Sequence, residues 1–147
     1  MTTIFQKLHN ICIVVHDIDR AQRAYEAMGI GPWIAYPPLT EYVELDVPDR
    51  AGFMGLQYRV CDLPGVQLQL CQPDDSPSPQ RHHLDTKGEG VFHLGFEVPD
   101  ADAAEAASGL PVLMRGRRAN RTGFTYYDTA AEAGVTLLTR ATNRPAS

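Results

Sequence analysis

His93 stands in the stretch Val91-Phe92-His93-Leu94-Gly95-Phe96-Glu97-Val98-Pro99-Asp100. Imidazole is the side chain whose ordinary pKa lets it give and take protons near neutrality. Near the N-terminus, Ile11-Cys12-Ile13-Val14-Val15-His16-Asp17 writes the same strand again. With Asp17 set on Asp100, Val15 falls on Val98, Ile13 on Phe96, Cys12 on Gly95 and Asn10 on His93. Other groups able to do chemistry gather elsewhere. Arg115, Arg117, Arg118 and Arg121 crowd one stretch, where they would grip an anion or form a solvated loop. His82-His83-x-Asp85 could lend an acid or base from a lid, although surface histidines are the ordinary case. Glu41, Glu44 and Asp46 share one strand, and an inward-facing Glu44 would be a base. Cys12 and Cys71 have no basic neighbour in sequence to activate a thiolate.

The elements that must position these groups repeat as well, and an internal repeat decides architecture before any single residue does. Both copies run into Asp-x-Asp helix starts, at Asp17-Ile18-Asp19 and Asp100-Ala101-Asp102. Residues 5–16 read as a buried strand. The helix that follows carries Ala21, Ala24, Tyr25 and Met28 on one face and stops at Gly29 and Gly31. A short strand at 31–36 is closed by Pro37-Pro38, and further strands are expected at 42–47, 52–60 and 66–71. The stretch from Gln72 to Gly90, with Asp74-Asp75-Ser76-Pro77-Ser78-Pro79, has no apolar period and reads as a polar link. The second half replays the order: strand 91–98, an Ala-rich helix ending near Ser108-Gly109, strand 110–114, an Arg115–Arg118 loop, then strands 123–128 and 134–139.

Two βαβββ modules, each too small to bury its own sheet, should pack together. The expected fold class is α+β, a curved eight-stranded mixed sheet around a cleft. The chain reads as a single domain over 1–147, with module one at about 5–72, a linker at 73–89, module two at about 90–141 and a frayed tail at 142–147.

Bulk properties narrow the function. The 147 residues are 44% hydrophobic and 21% charged with a net charge of −5, which argues against nucleic-acid binding. The longest apolar run, Ile11 to Val15, is too short to cross a bilayer, and no signal sequence opens the chain. Three cysteines without C-x-x-C spacing suit reduced thiols in a cytoplasm.

Together these landmarks make the chain resemble the vicinal oxygen chelate superfamily over nearly its whole length. That group includes glyoxalase I, methylmalonyl-CoA epimerase, fosfomycin- and bleomycin-resistance proteins and extradiol dioxygenases. The Gly29-Ile30-Gly31-Pro32-Trp33 stretch and the Gly88-Glu89-Gly90-x-x-His93-x-Gly95-Phe96 run look most like small epimerase-like members. Metal-using members take four ligands, one from the first and last strand of each module. Carried over residue by residue, those positions hold Asn10, Gln69, His93 and Leu138. His93 and Gln69 match; Asn10 replaces a His and Leu138 a carboxylate. The adjacent His9 should face away on the two-residue strand period, and Thr136 or Arg140 would serve a cation poorly. No cofactor is therefore expected, and any divalent metal would rest on Gln69 and His93.

The resemblance aims Asn10, Gln69 and His93 at a common hollow, as catalytic residues. The strand period adds substrate-binding neighbours: Cys12 beside Asn10, Gln67 and Cys71 beside Gln69, and Arg140 beside Leu138. Trp33, Tyr127 and Glu44 complete the expected lining.

One chemistry is metal-free proton transfer, with the Asn10 and Gln69 amides holding a substrate carbonyl and His93 moving the proton. Two such donors stabilise an oxyanion by roughly 7 kcal/mol, about five units of carbon acidity. That magnitude favours an activated carbonyl substrate and an isomerase, lyase or cyclase. A second reading is a drug- or metabolite-binding protein with aromatic walls. A third keeps a metal in a distorted epimerase- or glyoxalase-like site. The expected partners are a small molecule and a second copy of the chain, with no nucleic acid and no membrane.

Overall fold

The computed structural model describes residues 3–36 and 39–142. The expected Pro37-Pro38 strand end and the tail from residue 143 lie outside the described residues. Among the described residues there are nine strands and five α-helices, and the chain divides into two compact units.

The first unit comprises Asn10–Pro38 and Asp49–Phe92. It holds β1 (Leu8–Val14), α1 (Ile18–Ala27), β2 (Ile34–Ala35), α2 (Arg50–Met54), β4 (Gln57–Leu63), β5 (Val66–Gln72) and α3 (Pro79–Lys87). Its strands run in the order β2-β4-β5-β1, with β5 and β1 parallel and the other pairs antiparallel. Asp17 caps α1, its carboxylate accepting from the Arg20 amide at 3.1 Å, a bond worth about 1 kcal/mol. The helix lays Ile18, Ala21 and Tyr25 against Ile13, Cys61, Leu68 and Leu70, with Trp33 in the same cluster. Each large apolar side chain so buried contributes about 1.5–3 kcal/mol.

The second unit comprises Met1–His9, Leu39–Pro48 and His93–Ser147. It holds β3 (Glu44–Asp46), β6 (Gly90–Glu97), α4 (Ala101–Ser108), β7 (Val112–Arg117), β8 (Gly123–Tyr127), α5 (Ala130–Ala133) and β9 (Thr136–Ala141). The strand order is β6-β9-β8-β7-β3, with β6 and β9 parallel and the rest antiparallel. Asp100 caps α4 by accepting from the Ala103 amide at 3.0 Å. Gly109 ends that helix in the left-handed region at φ 65°. The small side chains Ala101 and Ala104 let α4 approach Val98 and Ala141 closely.

Three stretches differ from the sequence expectation. Residues 50–54 form a helix rather than the start of a strand, because the Asp49 carboxylate accepts from the Gly52 amide at 2.7 Å and holds the first turn. The expected 73–89 linker contains α3. Ser78 caps it, accepting from the Arg81 amide at 2.9 Å, and Pro79 occupies the first turn, where its missing N–H costs nothing. The two helices meet closely, since a Cβ on Gly52 would stand 1.7 Å from the Pro77 carbonyl oxygen. Finally, Arg115 to Arg117 belong to strand β7 instead of a loop, and β3 pairs with them antiparallel.

Candidate functional site

In the first unit, the β1–β5 register sets Asn10 beside Gln67, Cys12 beside Gln69 and Val14 beside Cys71. Across β5, β4 places Asp62, Val60 and Tyr58 opposite Gln67, Gln69 and Cys71. Paired residues share a face, so one face carries Asn10, Cys12, Gln67, Gln69, Cys71 and Tyr58 while the other meets α1. The expected grouping of the amides with the two thiols is therefore present within this unit.

The amides are ordered by a relay. Gln67 Nε2 donates to the Asp62 carboxylate at 2.9 Å, and Gln69 Nε2 donates to Gln67 Oε1 at 2.8 Å. A carboxylate only accepts, so the relay has one direction. It commits one Gln69 N–H to Gln67 and leaves the Gln69 oxygen outside the relay. Cys12 and Cys71 are buried, and burial together with a hydrogen bond to Cys71 pushes the Cys12 thiol up. The Cys12 thiol is therefore protonated at neutral pH. Helix α3 adds Gln80, whose Nε2 reaches the Tyr58 hydroxyl at 3.4 Å.

In the second unit, β6 and β9 set His93 beside Thr136, Gly95 beside Leu138 and Glu97 beside Arg140. The β8 and β7 registers extend this face through Tyr126, Phe124, Met114 and Gly116. A row of edge-to-face rings results: His93–Tyr126 at 5.2 Å, Tyr126–Phe124 at 5.3 Å and Phe124–Tyr42 at 5.1 Å between centroids. The Arg118 guanidinium sits over Tyr42 at 4.8 Å and pairs with Glu41. His93 is 1% exposed, and burial lowers its pKa to about 3. The imidazole is therefore neutral at physiological pH, with one nitrogen donating and the other accepting.

Three expected lining residues stand elsewhere, and a fourth is occupied. Glu44 pairs with Arg117 in the β3–β7 register, so it shares the α4 side of the sheet, and Leu45 shares the His93 side. Its carboxylate binds Arg115 at 2.7 Å and also Arg121, and the Arg121 hydrogen bond holds it below the usual carboxylate range. Both of its carboxylate oxygens are taken up by ion pairs. Tyr127 also points to the α4 side, with its hydroxyl 2.9 Å from Thr139 Oγ1 and Phe5 on its ring; its neighbour Tyr126 is the one that meets His93. Trp33 lies in the core under α1 and donates to the Ile30 carbonyl at 2.9 Å. Arg140 keeps the His93 side but is occupied by Glu97 and by the His9 ring, 2.8 Å away.

The arginine-rich stretch is spent on ion pairs within the second unit, with Arg115 and Arg117 in strand β7 and Arg118 and Arg121 in the turn that follows. Arg117, fully buried, binds Asp102 and Glu105 at 3.0 Å each, the Thr125 hydroxyl and the Phe124 carbonyl. Arg115 binds Glu105, and Arg121 binds Asp102. These contacts fasten β7 and β3 to α4.

Neither unit offers these positions a donor set suited to a hard divalent cation: in the first, Asn10 and Gln69 have neutral oxygens, and in the second, His93 has one imidazole nitrogen and buried Leu138 nothing. His9 faces the Arg140 guanidinium, which competes for its lone pair and repels a cation. Among the described residues no group of three or more His, Cys, Asp and Glu could hold an ion.

Sequence reading overlooked Asp62 and Gln80. Asp62 was detectable as the polar residue opposite Gln67 across the Leu63-Pro64-Gly65 turn. Gln80 was hidden by reading its helix as a link.

The family model described as Glyoxalase/Bleomycin resistance protein/Dioxygenase superfamily matches residues 9–127. Among solved structures, the methylmalonyl-CoA epimerase of Mycobacterium tuberculosis is similar at 22% identity and a TM-score of 0.67, over 100% of this chain and 93% of that one. A Streptomyces coelicolor methylmalonyl-CoA epimerase in complex with 2-nitronate-propionyl-CoA gives 23% identity and 0.69, over 97% and 99%. A hypothetical protein of Bacillus halodurans gives 14% and 0.65, over 96% and 97%. No curated protein matches the sequence. These likenesses establish the fold. Among the described residues no helix is long and apolar enough to cross a membrane.

Proposed function

The chain belongs to the glyoxalase/bleomycin resistance protein/dioxygenase superfamily, and from that premise we propose that it is an isomerase-type enzyme moving a proton on an activated carbonyl compound without a divalent metal. The observation that carries this reading is the neutral, buried imidazole of His93. Isolated protonation of that ring is costly, because burial penalises the charged form. Proton transfer from a neutral carbon acid is different: imidazolium and enolate appear together and net charge does not change. At about 4 Å and an effective dielectric of 20, their attraction is worth about 4 kcal/mol, roughly three pKa units. An activated substrate, such as a 1,3-dicarbonyl, closes the remaining gap. The Asn10 carboxamide is assigned to a substrate carbonyl oxygen, and the Gln69 oxygen to a substrate enol hydroxyl. Lyase and cyclase outcomes share this first step. The three free thiols suit a reducing cytoplasm, and a homodimer is the assembly to test by light scattering.

Solvent deuterium uptake into acetylacetone and related dicarbonyls, wild type against His93→Ala, tests the proposal. Uptake that falls to the uncatalysed rate in the variant supports it; equal uptake by both proteins overturns it. The second reading is a ligand-binding protein, favoured by the absence of any anionic group at Asn10, Gln69, His93 and Leu138. It predicts binding without uptake, retained in His93→Ala.

A further inference from the structure

We propose that Gln80 is a ligand-binding residue: its carboxamide oxygen accepts a hydrogen bond from a hydroxyl of a planar phenolic or enolic carbonyl compound lying on the Gln69 face of the first unit. The proposal rests on the reading of that face as the substrate side and adds the class of compound it takes.

Gln80 is fully buried in the first turn of α3. Its Nε2 reaches the Tyr58 hydroxyl at 3.4 Å, while its Oε1 has no hydrogen-bond partner among the described residues. Buried side-chain amides are nearly always bonded at both ends. A methionine of similar length would fill the same space without an orphaned oxygen. A polar side chain kept there points to a donor that arrives from outside the fold.

The surroundings say which donor. Tyr58 lies opposite Cys71 on the face that also carries Gln69, and Gln69 is two residues, about 7 Å, further along the strand. Through Gln67, Asp62 ties down one Gln69 N–H and leaves the Gln69 oxygen outside the relay. The Gln69 and Gln80 oxygens both call for O–H or N–H groups. Beside them the Tyr36 and Tyr58 rings stand 5.8 Å apart, a surface suited to a flat molecule. A hydroxylated planar carbonyl compound satisfies both oxygens and the rings.

The test uses the full-length protein with resacetophenone, a dihydroxyphenyl ketone, and its dimethyl ether as probes. Calorimetric titration of the wild type is expected to show the dihydroxy compound bound at least tenfold more tightly than the ether. Gln80→Met should erase that preference, leave ether affinity unchanged and hold or raise Tm. A second measurement needs no variant: the side-chain amide resonance of Gln80 should move on adding the dihydroxy compound and stay put on adding the ether. Absence of a preference in the wild type, a preference surviving in Gln80→Met, or an unmoved resonance would each mean that a buried water satisfies Gln80, and the proposal falls. Deuterium uptake that depends on His93 without any hydroxyl preference removes Gln80 alone. A Gln80-dependent preference without uptake removes the enzymatic reading alone.

Discussion

The ring of His93 meets the ring of Tyr126 edge to face, with centroids 5.2 Å apart and planes at 89°. That contact helps keep the imidazole dry, and dryness has a measurable cost. The unfolded chain takes up a proton as pH falls through about 6.5, whereas the folded protein does so only near 3. Stability is therefore fully present above the unfolded value and declines as pH drops from about 6.5 toward 3. At pH 5 the loss from this residue is about 2 kcal/mol. Urea midpoints at pH 7 and 5 should differ less in His93→Gln than in the wild type. An identical difference in the two proteins would contradict the burial argument.

Arg117 anchors the second unit through Asp102, Glu105, Thr125 and the Phe124 carbonyl. Arg117→Met leaves buried acceptors without their partner and should destabilise by about 3–5 kcal/mol. Arg117→Lys restores the charge but not the planar fork, so it should recover only part of the loss. Chemical denaturation of both variants is the measurement. A Met variant as stable as the wild type would show that the cation is dispensable.

Glu44, held by Arg115 and Arg121, is on the α4 side of its sheet. Glu44→Gln is expected to leave deuterium uptake unchanged while making stability less sensitive to salt. A collapse of uptake with intact folding would return Glu44 to the list of bases.

The sequence made the strand-and-helix order, the two aspartate caps and the amide row readable, because each is a local pattern with a local cause. Asp17 and Asp100 do cap α1 and α4. Side-chain facing was less readable. Glu44 sits on a strand of three residues, too short to declare which alternation it follows. Tyr126 and Tyr127 are adjacent, so choosing the wrong one reverses the face, and an irregularity between Val112 and Met114 shifts the register alongside them. Trp33 looked like a pocket aromatic but packs under α1 with Tyr25. The arginine stretch could have been decoded from Asp102 and Glu105, which are three apart and share one helix face.

The Asp62–Gln67–Gln69 relay makes a graded prediction. Gln67→Leu cuts it and should weaken dicarbonyl binding about tenfold, since the Gln69 amide can then rotate. Asp62→Asn retains an oxygen acceptor and should behave like the wild type, whereas Asp62→Leu should resemble Gln67→Leu. Binding of acetylacetone by the three variants checks the order. Equal affinities in all would reduce the relay to surface decoration.

Cys12, Cys61 and Cys71 are all buried, and burial raises the Cys12 and Cys61 thiols above their ordinary value. A thiol-reactive dye should label none of the three in the native protein and all of them in denaturant. Rapid native labelling would reveal an opening motion that the packing does not suggest.

Strand β3 hydrogen-bonds to β7 across some seventy residues of intervening sequence. A polypeptide severed near residue 75 would leave one fragment carrying Glu44–Asp46 without its ladder and the other with a bare edge on Val112–Arg117. Such pieces should seek each other out, or clump, before either persists as a half-sized protein. Co-expressed fragments that reassemble would make this chain a natural split reporter, its signal governed by three residues of backbone pairing.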